Sequence, residues 1–255
     1  MSYVFPNAAD EARVRLEALA ATFDHGTIRA LDATGIAAGW RCLEVGAGGG
    51  SIARWLADRV GIGGHVLATD VDPRHIVIGN RRQLVAQRHD LLNDTLAVGA
   101  FDMVHARLVL SHLSDPGQAL ARMCSALREG GTLVVEDFEF QYGSDAENDS
   151  ETLRAMRALV RENVDAALGA TLARRCRALG LIDVHAEARV VMYRYDTPGV
   201  EVLRQSFHQL RDRLLIGGLS AQAYARDLAA LDDERFETRS PLLWTVTARR
   251  PCSAP

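Results

Sequence analysis

Glu44, Gly46, Gly48 and Gly50 alternate through Arg41-Cys42-Leu43-Glu44-Val45-Gly46-Ala47-Gly48-Gly49-Gly50-Ser51. Glycines at this spacing let the backbone take positive φ and approach a ligand closely. Leu43 and Val45 are strand formers, and Ile52, Trp55 and Leu56 then recur at helical spacing. A strand that turns through glycines into a helix aims N–H groups at whatever lies above the strand end. That is the geometry of a nucleotide-type site in an open α/β sheet. Two nucleotide motifs do not fit. The dinucleotide pattern needs a third glycine where Ser51 stands, and a phosphate loop needs a Gly-Lys-Ser/Thr that does not follow.

Acids stand where further strands should end. Glu44 lies in the first strand, Asp70 closes a second (65–69), and Asp90 closes a third (84–88). Asp70 lies 20 residues beyond Gly50, a distance that suits hydrogen bonds to ribose hydroxyls. Asp90 is placed to accept from an adenine amino group, with Val71 and Leu91 as apolar walls for the ring. A single Asp after a strand is usually a cap or a solvated turn. Acids at successive strand ends favour one shared ligand.

These residues need a scaffold. Helix candidates at 8–23 and 26–38 precede the first strand and must pack outside the nucleotide unit, where Tyr3, Phe5, Phe23 and His25 could line a pocket. The first central helix runs to about Val60. Asp72-Pro73 suggests an N-cap and a short helix to Gly79. Strands follow at 101–106 and 132–136, around a helix that starts at Asp115-Pro116, runs to Arg128 and is closed by Gly130-Gly131. Such alternation predicts a parallel, doubly wound sheet. Beyond residue 138 we expect a polar loop (144–150), helices at 151–167 and 170–179, one long strand at 184–195, helices at 200–216 and 221–231, and a last strand at 242–248. The last two strands, joined by a helical insertion, should be antiparallel.

Glu44-Val-Gly-Ala47-Gly-Gly-Gly, Ala68-Thr-Asp70-Val-Asp72, Arg88-His-Asp90-Leu91, Phe101-Asp-Met-Val-His-Ala106-Arg107 and Leu127-Arg-Glu-Gly-Gly-Thr-Leu-Val-Val135 resemble, in order and spacing, the successive motifs of class I S-adenosylmethionine-dependent methyltransferases. The resemblance covers roughly residues 40–137. It implies an α/β, doubly wound, Rossmann-like sheet of seven mostly parallel strands, with N-terminal helices and a helical insertion near 198–231. It also implies that Glu44, Gly46, Ala47, Gly48 and Gly50 border the methionine part of S-adenosylmethionine. Asp70 would hold the ribose, Asp90 the adenine amine with Val71 and Leu91 walling the ring, and Ala106 and Arg107 would sit beside the methionine end and the reacting methyl. Residues 1–38 would be a helical cover, and 39–255 the methyltransferase domain.

Methyl transfer asks the protein mainly to align the reactants and exclude water. An oxygen acceptor would gain from a general base. His112, seven residues after His105, is the candidate, whereas His105 lies inside a strand and reads as a packing residue. Arg107 could bind an acidic substrate or pair with an acid of the N-terminal segment. Glu136 and Asp137 end the fifth strand near the same place. His105 and His112 do not make a metal pair, since helical ligand pairs prefer i, i+4 spacing.

The acceptor is argued from what is missing. The strand-four end reads His105-Ala106-Arg107-Leu108, without the Pro-Pro-Tyr/Phe of amino-methylating DNA enzymes or the Pro-Cys of cytosine C5 enzymes. A net charge of −4 gives no basic footprint for nucleic acid. The segment from Ala106 to Leu113 resembles bacterial methyltransferases of secondary metabolism and quinone-type substrates, which implies a small-molecule acceptor. Protein or RNA methylation, and a silent cofactor-binding subunit, are the alternatives. The four scattered cysteines suit a reducing, cytoplasmic setting. No apolar run is long enough to span a membrane, and a homodimer is left open. The 255 residues suit one large α/β domain.

Overall fold

A computed structural model describes Phe5, residues 10–141 and residues 149–252. The expected pocket residue Tyr3 and most of the expected loop at 144–150 lie outside the described residues. Seven strands form one sheet: β1 (Arg41–Val45), β2 (His65–Asp70), β3 (Leu84–Arg88), β4 (Phe101–Arg107), β5 (Leu127–Glu139), β6 (Ile182–Arg189) and β9 (Leu242–Arg249). Their order is β3-β2-β1-β4-β5-β9-β6. β1 to β5 run parallel, and β9 runs antiparallel to both β5 and β6. This is the doubly wound, mostly parallel sheet that the sequence predicts.

Helices cover both faces. α1 (Asp10–Ala33) and α2 (Ser51–Val60) lie on one side, over a core of Cys42, Val66, Met103 and Val134. α3 (Pro116–Ala126) and α5 (Leu168–Ala178) lie on the other, over Leu43, Val104, Leu133 and Val246. Strands buried on both faces read as nearly continuous apolar runs, and Val134 and Val135 show it by pointing to opposite cores. A third apolar cluster joins α1 through Phe23 to α4 (Glu151–Asn163), α6 (Pro198–Ile216) and α7 (Ala221–Ala230) above the strand ends. α6 and α7 occupy the expected helical insertion.

Several expected boundaries move, each for a tertiary reason. The two N-terminal helices are one continuous α1. α1 runs through Gly26, where a Cβ would lie 2.6 Å from Arg189 Nε, so the glycine admits an arginine from β6. Asp72 does not cap a helix. Its carboxylate accepts from Arg74 Nε at 2.7 Å, and only a 3-10 turn, Pro73–His75, follows. β5 begins at Leu127, not Thr132, because Gly130 and Gly131 exchange backbone hydrogen bonds with Arg250 rather than closing a helix. α4 stops at Asn163 because Asp165 N–H bonds Ser111 and Phe140 N–H bonds Ala166. The long strand at 184–195 is two. β6 pairs with β9, whereas β7 (Met192–Arg194) pairs with β8 (Glu237–Arg239) in a separate ribbon that we did not expect.

One polar cluster is set into the sheet face beneath α1. Register places Glu44 opposite His105 and Glu136 opposite Thr245. His105 Nδ1 lies 2.6 Å from Glu44 Oε2, and Nε2 faces Glu136 Oε2 at 3.7 Å. Glu136, with no exposure, accepts from Thr27 of α1, from Thr245 and from Arg189 at 2.5, 2.5 and 2.6 Å. Burial opposes a charge on His105, yet Glu44 and Glu136 raise its pKa from 6.5 to about 9. Burial also opposes the Glu136 anion, but His105 and Arg189 hold it well below the usual range. A raised histidine contributes fully below its ordinary 6.5, and that contribution is lost as pH climbs through about 9. The urea midpoint of the wild type is therefore expected to fall between those pH values, while His105→Gln shows a flatter profile. A midpoint that rises or stays level in the wild type would contradict the charged assignment.

Candidate functional site

The carboxyl ends of β1 to β5 open into a cavity of about 680 Å³. One end is polar. There β1 runs into the loop 46–50, and Gly46 has φ 63°. A Cβ on Gly46 would lie 2.3 Å from Val109 Cγ2, so only glycine lets the chain after β4 pack down on the loop. Gly48, at φ 53°, meets Leu16 of α1, whose Cδ2 would stand 3.0 Å from an added Cβ. The loop is thus closed from above by two elements.

Asp70 is held between two backbone amides. It is 8% exposed, Oδ2 accepts from Gly48 N–H at 3.0 Å and Oδ1 from Asp72 N–H at 2.9 Å. Burial raises its pKa, and the two amide bonds offset part of that rise. Each oxygen keeps a lone pair for a ligand hydroxyl. Val71 and Leu91 also line the cavity, the first exposed and the second buried. Asp90 lines it too, but its carboxylate accepts from Leu92 N–H, Asn93 N–H and the Asn93 amide. It organises its own turn, and the Asn93 side chain leads the effects that lower its pKa.

Glu44, Gly46, Ala47 and Gly48 line the cavity as expected, although Glu44 is bonded to His105. Gly50 does not. It stands at the N-terminus of α2 and packs beside Ile76. Ala106 is fully buried in the core rather than at the cavity wall. Arg107 reaches the wall, but its guanidinium binds Asp24 at 2.7 Å and Thr27 at 2.8 Å, both on α1. Of the two roles open to it in sequence, the structure selects pairing with the N-terminal segment. Phe5 lines the cavity, Phe23 packs against Phe138 outside it, and His25 is exposed.

His112 lines the cavity from the turn after β4. Leu108 begins this turn at φ 58°, a conformation that costs a non-glycine residue about 1–3 kcal/mol. The segment is held by Asp137, whose Oδ2 accepts from Ser111 N–H at 3.0 Å. Burial pushes Asp137 up to about 6 against the hydrogen bonds from Ser111, Phe138 and Leu110. Burial, together with the charge of Arg15, lowers His112 from 6.5 to about 4. Its imidazole is neutral at pH 7, but a base this weak is poorly matched to a neutral operating pH.

The other end is apolar. Phe138 of β5, Phe140 just past it, Met156 and Val160 of α4, Tyr193 of β7 and Leu203 of α6 line it. Phe138 and Phe140 pack edge to face at 5.5 Å. None of these stood out in sequence, because they become neighbours only when α4 and α6 fold over the strand ends. Arg15 also went unnoticed, although its position between Ala12 and Leu19 set a charge on the apolar stripe of α1. Among the described residues no group of three metal-ligating side chains occurs, and no helix is long and apolar enough to cross a membrane.

A sequence profile of the methyltransferase domain matches residues 11–186. The chain belongs to the methyltransferase-domain family. Ubiquinone/menaquinone biosynthesis C-methyltransferase UbiE of Laribacter hongkongensis is 30% identical over 117 residues, 42% of this chain and 47% of that protein. Demethylmenaquinone methyltransferase of Renibacterium salmoninarum is 33% identical over 110 residues, 42% of this chain and 45% of that protein. The chain spans about half the length of the curated relatives it matches.

Solved structures agree on the fold. Bacillus subtilis YcgJ superposes with a TM-score of 0.61 at 15% identity, covering 90% of this chain and 100% of that one. Haemonchus contortus phosphoethanolamine N-methyltransferase 2, solved with S-adenosylhomocysteine, gives 0.58 at 17% identity, covering 89% and 53%. The [4+2]-cyclase SpnF gives 0.58 at 20% identity, covering 90% and 81%. A cyclase on this fold shows that the fold does not name the reaction.

The depressed pKa of His112 carries a prediction. Its folded value lies below 6.5, so its contribution to stability is present above 6.5 and is lost as pH falls toward about 4. In a native-state NMR titration its ring signal, assigned against His112→Gln, should stay flat from about pH 8 down to about 5.5. A midpoint near 6.5 would refute the burial argument.

Proposed function

We propose that this protein transfers a methyl group from S-adenosylmethionine to a small, largely apolar acceptor. One observation carries the reading: a single cavity joins a glycine-and-acid end at the strand edges to an apolar end beneath α1, α4 and α6. The residues fit the cofactor. Gly46 and Gly48, at positive φ, carry the loop along the cavity wall, and buried Asp70 lines the same space with a lone pair left on each oxygen. The cofactor supplies an electrophilic methyl group on a sulfonium.

The rest falls to the chain. Asp70 accepts from the ribose hydroxyls. Val71 and Leu91 flank the adenine, and Asp90 holds the turn beside it while keeping a lone pair for the amino group. The loop Gly46-Ala47-Gly48 borders the methionine part, above Glu44. The turn carrying His112 closes on the loop through Val109, which brings His112 to the boundary between the two ends. The apolar walls exclude water and orient the acceptor.

The curated relatives, named as a ubiquinone/menaquinone biosynthesis C-methyltransferase and a demethylmenaquinone methyltransferase, support an apolar ring acceptor. Their matches cover under half of this chain, so carbon, oxygen and nitrogen remain candidate methylation sites. Secondary metabolism rests on the sequence resemblance around Ala106 to Leu113. Free thiols at Cys42, Cys124, Cys176 and Cys252 support a reducing, cytoplasmic setting.

Calorimetry tests the cofactor. S-adenosylhomocysteine should bind and NADH should not. Asp70→Ala should weaken S-adenosylhomocysteine by about 1–3 kcal/mol, the cost of losing a buried polar partner. NADH binding without S-adenosylhomocysteine binding would overturn the reading, and an unchanged affinity in Asp70→Ala would remove the ribose assignment.

A further inference from the structure

The apolar end of the cavity contains a hydroxyl that the fold does not use. Tyr193 faces inward from β7 and is 3% exposed, whereas Met192 and Arg194 on either side face out. Its ring packs on α6 at Gly199, where an added Cβ would lie 2.0 Å from Cδ1. Tyr193 lines the cavity, yet among the described residues its hydroxyl makes no hydrogen bond. Nor is the oxygen sealed in. The enclosed side-chain polar atoms without partners belong to other residues, such as Thr152, Gln205 and Gln209. The hydroxyl therefore opens on the cavity that its ring lines.

Neighbouring polar groups are already engaged. Ser206 of α6, 4% exposed on the same cavity, gives its proton to the Val202 carbonyl at 2.6 Å. Arg107 is held by Asp24 at 2.7 Å and Thr27 at 2.8 Å. Arg157 is near enough for its charge to act on Tyr193, but its nitrogens bond to Asp149, Thr238 and the Arg239 carbonyl. Burial raises the Tyr193 phenol above its ordinary 10, against the opposing charge of Arg157. The phenol is thus protonated at neutral pH, a donor rather than a base.

A buried tyrosine O–H usually finds a partner, and a buried polar group without one calls for an explanation. A phenol O–H donates to an oxygen such as that of a carbonyl or ether. Met156, Val160 and Leu203 wall the same end, so a ligand oxygen entering it leaves water behind. A ring that brings an oxygen to Tyr193 recovers that loss. A ring without one leaves the hydroxyl buried and unpaired, and sites built around such a bond discriminate for this reason.

We infer that Tyr193 is a specificity-determining residue whose hydroxyl donates to a carbonyl or ether oxygen carried by an otherwise apolar ring. Calling that ring the methyl acceptor rests on the methyltransferase reading, but the hydrogen bond itself does not.

Two probes of matched shape separate this bond from apolar contact: 2-acetylnaphthalene and 2-isopropenylnaphthalene, which exchange C=O for a C=C group. Binding to the full chain is measured by equilibrium dialysis, with and without S-adenosylhomocysteine. Tyr193→Phe removes only the hydroxyl. It should weaken the ketone roughly three- to tenfold and leave the hydrocarbon and S-adenosylhomocysteine unchanged. A ketone loss no larger than that of the hydrocarbon, or failure of the ketone to bind the wild type, would overturn the assignment. Infrared spectroscopy of the carbonyl-labelled ketone gives a second readout. Its stretch on the wild type should lie below the value in hexane and move back toward it in Tyr193→Phe. If that variant does not fold, the wild-type stretch decides, and a hexane-like value overturns the assignment. Failure of S-adenosylhomocysteine alone would count against the methyltransferase reading and not against the Tyr193 bond.

Discussion

Everything at the site hangs from the buried carboxylate of Glu136. It draws a threonine from α1, a threonine from β9 and an arginine from β6 onto one pair of oxygens, and it faces the imidazole that Glu44 holds from the other side. Removing one partner from such a cluster leaves an uncompensated buried charge, which costs about 3–5 kcal/mol. The cluster therefore does little to add stability over an apolar core, but it ties α1 to the sheet through Thr27. Arg107 extends it sideways to Asp24, so that α1 is fixed at two successive turns, through Asp24 and Thr27. A helix held there must lay Leu16 against the glycine loop and Arg15 against the apolar end.

That docking turns an open strand edge into a divided cavity. Ligands of open α/β sheets lie above the carboxyl ends of the strands, and here the acids and glycines of β1 and β2 occupy that position. The second half of the chain adds what such a sheet lacks. α4, α6 and the β7–β8 ribbon bring apolar side chains over the edge, and Phe138 and Phe140 continue them from the end of β5. Asp137 then ties the turn of His112 to the same strand. The polar end and the apolar end of the cavity are joined through one strained turn that begins at Leu108.

The parallel half of the sheet was legible in sequence because its rules are local. Glycine spacing after Val45, apolar runs at 65–69 and 101–106, and acids at strand ends each follow from backbone conformation or burial within a few residues. Asp70 and the loop at Gly46 to Gly48 line one cavity for that reason. What failed depended on distant partners. Helices at 8–23 and 26–38 were expected where one helix runs through Gly26, because nothing nearby announces that Arg189 crosses it. The strand at 184–195 looked continuous because the separate pairing of Tyr193 with Thr238 is set by tertiary structure. Ala106 was placed by analogy beside the methyl group, but its burial on both sides puts it in the core. The apolar end was invisible as a site, although the charge of Arg15 on an apolar helical stripe was a signal in plain view.

The central claim is that one cavity holds the adenosine at the ends of β2 and β3 and presents the sulfur beneath the turn of His112. A crystal structure with S-adenosylhomocysteine tests it most directly. The account predicts ribose hydroxyls on Asp70, adenine between Val71 and Leu91, and the sulfur beside Gly46, facing the apolar end. Adenine lodged among Phe140, Met156 and Tyr193, or a ligand bound outside this cavity, would contradict it.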